Sequence, residues 1–157
     1  IMVCGIPNVG KSSFINKLYG KSAAVTGDRP GVTRGKQWIT LKNGMELLDT
    51  PGILWPKFED KDVALKLAYT GAIKDDVLDV EELCSNLCAF LAINYPERLT
   101  ERYKIELEEN LQGFEILERI CRKRGFIVKG GEVDYLRGAN VVLDEFRGAK
   151  LGKITLE

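Results

Sequence analysis

A chain of 157 residues is long enough for one ordinary domain or two small ones, each with its own hydrophobic core. With 45% hydrophobic and 29% charged residues it is neither disordered nor low-complexity, and no apolar run approaches the ~20 residues of a membrane span, so a soluble protein is expected. Lys+Arg and Asp+Glu both total 23, but residues 1–50 hold 7 basic against 3 acidic side chains and residues 51–100 hold 5 against 9, which places the positive field at the N-terminal end.

In chain order, Ile1–Cys4 reads as a short apolar strand, already under way and without an initiator Met, as in a piece cut from something longer. Gly5–Ser12 leads into an amphipathic helix with Phe14, Ile15 and Leu18 on one side, ending at Gly20. Residues 21–36 are polar, rich in Gly and Thr, and read as a long loop. Gln37–Leu41 and Met45–Asp49 flank Lys42-Asn43-Gly44, whose Asn-Gly pair is a strong hairpin signal. Val63–Ile73 and Val80–Tyr95 have helical periodicity, and Pro96 is expected to close the second. Gly113–Arg124 and Glu132–Arg147 predict two more helices, separated by the turn Lys129-Gly130-Gly131. The expectation is a strand-rich unit over residues 1–75 and a helical unit over 76–157.

Cysteine usage points away from metal chemistry. The chain has no histidine and no Cys-x-x-Cys pair, so neither a structural zinc site nor a metal cluster is expected. Cys84 and Cys88 fall among Leu83, Leu87, Phe90 and Leu91, the buried stripe of one helix, and with Cys4 and Cys121 read as inert core thiols of a reducing, cytoplasmic setting.

Three segments carry chemistry. Gly5-Ile6-Pro7-Asn8-Val9-Gly10-Lys11-Ser12 fits the phosphate-binding loop Gly-x4-Gly-Lys-Ser/Thr, and it lies between a strand and a helix as that loop must. Glycines let successive N–H groups turn inward toward phosphate oxygens, and the following helix adds the positive end of its dipole. The backbone of Pro7 to Ser13 would form the cradle, Lys11 would reach the β- and γ-phosphates, and the Ser12 hydroxyl would bind Mg²⁺. The second segment, Leu47-Leu48-Asp49-Thr50-Pro51-Gly52, ends an apolar strand on a carboxylate. Asp49 can hold a Mg²⁺-bound water and the Gly52 N–H can donate to the γ-phosphate. In the third, Gly27–Gly35, Thr33 is the candidate to complete the Mg²⁺ shell, with Thr26 as its competitor.

Gly5–Phe14, Thr33 and Asp49–Gly52 together resemble the first three motifs of a translation-factor-class GTPase. The guanine-reading Asn-Lys-x-Asp does not follow; Asn16-Lys17 lies in the wrong place, without its Asp. That order is similar to circularly permuted GTPases, in which the guanine-reading strands precede the phosphate loop. The tail, Gly130–Arg147 and then Lys150–Glu157, resembles the C-terminus of the ribosome biogenesis GTPase A family, so the chain would correspond to the C-terminal half of such a protein.

The resemblance implies a fold and a function. The fold would be an α/β partial phosphate-loop GTPase sheet, carrying the switch loops, followed by an all-helical C-terminal domain. The activity would be GTP binding and hydrolysis by an assembly factor for the large ribosomal subunit or its precursor, with GTP/GDP and Mg²⁺ bound and no membrane involved. Lys11, Thr33 and Gly52 would be the catalytic set; Pro7, Asn8, Val9, Gly10, Lys11, Ser12, Ser13, Thr33 and Gly52 would contact nucleotide; Ser12, Thr33 and Asp49 would serve the metal.

Two positions qualify the resemblance. Ile53 stands where many GTPases place a water-orienting Gln, so unaided hydrolysis is expected to be slow. Asn8 sits where potassium-activated relatives hold K⁺, with a purely conformational role as the alternative. Arg119, Arg122 and Lys123, with Arg124 adjacent and Arg147, Lys150 and Lys153 further on, would contact ribosomal RNA through its phosphates, against the plainer reading of a solvated helix face. Two other functions stay open: a nucleotide-sensing RNA-binding module with negligible turnover, and an ATP-using phosphate-loop protein.

In a parallel nucleotide-binding sheet the strand entering the phosphate loop is central and apolar on both faces. Ile1–Cys4 is therefore expected to be buried on both faces, yet to lack a neighbour on one edge, since only the hairpin strands lie near it in the sequence.

Overall fold

An Asn-Gly turn sets the register of the first sheet in the computed structural model, which describes residues 1–20, 35–41, 43–54 and 60–156. Gly44 takes a positive φ of 78° and the Met45 N–H donates to Asn43 Oδ1 at 3.1 Å. That turn brings β2 (Gln37–Thr40) antiparallel to β3 (Glu46–Asp49), with Ile39 opposite Leu47 and Gln37 opposite Asp49. On its other edge β3 pairs in parallel with β1 (Met2–Val3), matching Val3 to Asp49, and the order is β1-β3-β2. The strand before the phosphate loop thus lies beside the strand that ends on Asp49, and their C-terminal ends meet.

The helix α1 (Lys11–Tyr19) lies over this sheet and stops at Gly20, whose φ of 75° only glycine adopts cheaply. Ile15, Ile39 and Leu47 form the buried cluster, with Val3, Tyr19 and Leu41 packed around it. Among the described residues β1 has one neighbour, in agreement with the open edge expected from the sequence. The expected burial of Ile1–Cys4 does not hold: with β1 paired on one edge only among the described residues, Ile1 and Met2 are 67% and 62% exposed, and Cys4 is an exposed thiol rather than a core one. Nor is the Phe14–Ile15–Leu18 face buried as a whole. Ile15 and Tyr19 point toward β3 and β2, while Phe14 and Leu18 are more than half exposed on the flank away from them. The unit closes with α2 (Lys61–Tyr69), capped by the Asp60 carboxylate. It ends earlier than the expected Ile73 because Gly71 turns the chain at φ 74°.

The chain divides into two compact units, Ile1–Lys74 and Asp75–Glu157. The second opens on a short 3-10 turn, Asp75–Val77, and contains α3 (Val80–Asn94), α4 (Pro96–Tyr103), α5 (Gly113–Arg124) and α6 (Tyr135–Arg147). Its core is the stripe Leu83, Cys84, Leu87, Cys88 and Leu91 of α3, covered by Ile116, Leu117, Ile120 and Cys121 of α5 and by Ala139, Val142 and Leu143 of α6. Cys84, Cys88 and Cys121 are buried free thiols; a hydrogen bond with the Cys88 sulfur, together with burial, pushes the Cys84 thiol far above its ordinary range, and burial raises Cys121 to about 11. Cys84 and Cys121 are therefore inert at neutral pH.

Two expectations for this unit change. Pro96 does not simply end a helix; it is the first residue of α4, where its missing N–H costs nothing. The last helix begins at Tyr135, capped by Asp134, because the residues before it form an isolated bridge, Ile127 with Val133, across the predicted Lys129–Gly131 turn. Three ion pairs knit the unit together. Glu145 of α6 receives Arg102 of α4 at 2.9 Å and lies 3.7 Å from Arg124 of α5, and Arg147 holds Asp75 through two bonds of 2.7 and 2.8 Å.

Candidate functional site

The loop Gly5–Gly10 joins β1 to α1 in a conformation that only certain residues tolerate. Gly5, Asn8 and Gly10 have φ of 153°, 57° and 90°, and Gly10 stands as the N-cap of α1 with no side-chain cap. Alternating handedness of this kind turns main-chain N–H groups toward one concavity, and the first N–H groups of a helix have no intrahelical acceptor. Pro7, Asn8, Val9 and Gly10 thus lead into α1, with Lys11, Ser12 and Ser13 in its first turn, an arrangement whose chemistry suits an anion.

The Lys11 side chain folds back over this loop. Its Nζ donates to the carbonyls of Ile6 at 2.8 Å and Gly5 at 3.2 Å, so the cation lies against the loop rather than in open solvent. One residue on, the Ser12 hydroxyl donates to Asp49 Oδ2 at 2.7 Å, across 37 residues of sequence. Asp49 is 1% exposed, and its second oxygen, Oδ1, has no hydrogen-bond partner among the described residues. A half-satisfied buried carboxylate is costly and implies a further donor or cation.

The chain after Asp49 is stapled to the loop. The Thr50 hydroxyl donates to the Val3 carbonyl at 2.8 Å and the Ile53 N–H to the Gly5 carbonyl at 3.3 Å. Gly52 lies so close to Pro7 that an added Cβ would stand 2.4 Å from the Pro7 Cα and N. No side chain larger than hydrogen fits there. Ile53, immediately beyond, is 77% exposed.

The structure therefore brings together Pro7, Asn8, Val9, Gly10, Lys11, Ser12, Ser13, Asp49 and Gly52 at one end of the sheet. Thr33 and its competitor Thr26 lie outside the described residues. In the second unit, Arg119 is engaged with the Glu106 carbonyl and the Glu108 carboxylate, both at 2.9 Å, and Arg122 with Glu118 at 2.8 Å. Arg124 lies over the Tyr103 ring at 5.4 Å, while Lys123, Lys150 and Lys153 are exposed. Sequence reasoning missed Thr50; its signal was a hydroxyl-bearing β-branched residue at the first position past a strand, before a proline. Among the described residues no cluster of His, Cys, Asp or Glu could hold a metal by itself, and no helix is long and apolar enough to cross a membrane.

Comparison with known proteins matches residues 1–117 to the family model of 50S ribosome-binding GTPases. Over 157 residues the chain is 52% identical to ribosome biogenesis GTPase A of Bacillus cereus, covering 99% of this chain and 52% of that protein. It is 34% identical to the Thermotoga maritima protein of the same name, covering 100% of this chain and 55% of that one. Solved structures of GDP-bound YlqF and of GNP-bound YlqF from T. maritima superpose with a TM-score of 0.63 at 33% identity, covering 99% of this chain and 59% and 57% of theirs. The chain spans about half the length of the curated relatives it matches.

Proposed function

The chain belongs to the 50S ribosome-binding GTPase family, and from that premise we propose that it is the phosphate-binding part of a GTP-driven assembly factor for the large ribosomal subunit. The observation that carries this reading is the Ser12–Asp49 contact, closed at 2.7 Å beside a loop with positive φ at Gly5, Asn8 and Gly10. An all-oxygen donor set with one buried oxygen still unpartnered fits a hard cation such as Mg²⁺, which Ser12 and Asp49 would hold together with Thr33. Held by these residues, Mg²⁺ would supply charge neutralisation on the β- and γ-phosphates.

The protein's own groups do the rest. The Gly5–Gly10 backbone cradles the phosphates, and Lys11 exchanges its two loop carbonyls for phosphate oxygens. The Gly52 N–H, held against Pro7, senses the terminal phosphate. Ile53 carries no acceptor with which to orient an attacking water, so turnover is slow until another group, or a partner, supplies that function. K⁺ at Asn8 is one such source; the left-handed φ of 57° at Asn8 equally supports a role in loop shape alone. Nucleotide state would be read out on a large-subunit particle, with Lys123, Lys150 and Lys153 the exposed cations available to ribosomal RNA phosphates.

Ile53 also favours a second reading, a nucleotide sensor with negligible turnover. Single-turnover GTP hydrolysis with and without large-subunit particles separates the two. Acceleration by particles supports the assembly GTPase; equal and negligible rates leave the sensor. Tighter binding of ATP than of GTP in competition would overturn both in favour of an adenine nucleotide.

A further inference from the structure

We infer that Thr50 is a positioning residue whose hydroxyl sets where the Gly52 amide stands relative to the phosphate loop. The inference rests on the nucleotide-site reading and adds to it a means of telling a triphosphate from a diphosphate. The parallel ladder between β1 and β3 has its rung from the Leu48 N–H to the Ile1 carbonyl at 2.9 Å. Two residues further along each strand, the next rung would fall between Thr50 and the Val3 carbonyl. At that point the side-chain hydroxyl donates to Val3 O, at 2.8 Å, and Thr50 is 8% exposed.

A side-chain bond in place of a ladder rung lets the chain leave the sheet while staying tied to it. Pro51 follows, with a fixed φ and no N–H, and confines Thr50 to extended backbone. Only Pro51 separates the hydroxyl's residue from Gly52, whose Cα lies against Pro7. The Ile53 N–H bond to Gly5 O, at 3.3 Å, is longer and closes the far side of the same turn. Thr50 is thus the firm end of a short arm that carries the Gly52 N–H, and β1, through Val3, is its anchor. Losing the anchor would leave Lys11 and Ser12 in place, because the Lys11 bonds to Gly5 and Ile6 and the Ser12 bond to Asp49 do not pass through Thr50. Contacts to the α- and β-phosphates would survive, and the contact to the third phosphate would weaken.

Thr50→Val keeps the β-branched shape and removes the hydroxyl; Thr50→Ser keeps the hydroxyl and removes the methyl. Affinities of the protein at its full natural length for GDP and for the non-hydrolysable imido analogue of GTP, measured by calorimetry, give the test. Thr50→Val should hold GDP within about twofold and lose roughly fivefold in the analogue, the worth of one hydrogen bond, while Thr50→Ser retains the wild-type ratio. Equal losses for both nucleotides in Thr50→Val, an unchanged ratio, or a collapsed ratio in Thr50→Ser would each overturn the role. If the wild type bound neither nucleotide, the nucleotide-site reading itself would fail, a distinct outcome.

Discussion

At Asn8 the backbone stands at φ 57° between two glycines, Gly5 and Gly10, that also take positive φ. Asparagine tolerates this conformation better than most residues, and its amide oxygen can also bind a monovalent cation. Glycine separates the two roles. Asn8→Gly keeps the loop shape and should still bind guanine nucleotide, and hydrolysis should be several-fold faster in K⁺ than in Na⁺ in the wild type but equal in the two salts in the variant. A wild-type rate indifferent to the cation, with ribosomal particles present, would leave Asn8 with its conformational role alone. At this scale most of the candidate site was legible because each position demands a residue type: glycine where φ is positive, a lysine and a hydroxyl at the helix start, a carboxylate at the strand end. Thr50 was not, because its partner is a main-chain carbonyl 47 residues away that no side-chain pattern records.

Helix packing in the second unit turns on small residues and one buried carboxylate. A Cβ on Gly138 of α6 would meet Cys121 Sγ of α5 at 2.1 Å. Gly138→Ala should therefore cost about 1–3 kcal/mol through overpacking, read by denaturant unfolding, and Cys121→Ala in the same chain should restore most of it. Persistence of the loss in the double variant would place the clash elsewhere. Glu145 is tied to Arg102 and lies near Arg124, and the Arg102 bonds hold its pKa below the ordinary 4.5 despite opposing burial. Arg102→Met strands that carboxylate, and with Arg124 still 3.7 Å away the expected loss is about 2–3 kcal/mol at pH 7.

The pH dependence of that loss has a fixed sign. A depressed folded pKa contributes stability that is fully present above the unfolded value and is lost as pH falls through the folded one. The gap between wild type and Arg102→Met should narrow below pH 4.5; a gap that is constant from neutral to acid pH would show the pair to be energetically idle. The bounds of α5 agree with the sequence pattern, since Gly125 stops it and its apolar positions are regular. The helix α4 was hidden because Pro96 serves both as the end of one helix pattern and as the first residue of the next, and residue type alone does not distinguish the two.

On the scale of the whole molecule, residues 1–50 carry 7 basic against 3 acidic side chains, the sign that suits an anionic ligand, while the helical unit, residues 75–157, carries 12 basic against 17 acidic. Its basic side chains divide by geometry: Arg119 and Arg147 are bound to acidic partners, whereas Lys123 is exposed and Arg122 is held by one surface i,i+4 pair worth a few tenths of a kcal/mol. Reversing charge at Arg122 and Lys123 should weaken binding to large-subunit particles and flatten its dependence on salt, because fewer counterions are released. An unaltered slope, measured by co-sedimentation across salt concentrations, would return that face to solvent. Base specificity was not legible at all, since the Asn-Lys-x-Asp pattern is absent from these 157 residues and the relatives are about twice as long.

The central claim is that Gly5–Ser12 binds the phosphates of a guanine nucleotide, and Lys11 tests it most directly. Its ammonium donates to the Gly5 and Ile6 carbonyls, which on the proposed reading it would exchange for β- and γ-phosphate oxygens. Calorimetric titration of GTP and GDP into the protein at its full natural length, with Mg²⁺, should give saturable binding in the wild type and none in a folded Lys11→Ala variant. Unchanged affinity of Lys11→Ala for both nucleotides would contradict the account.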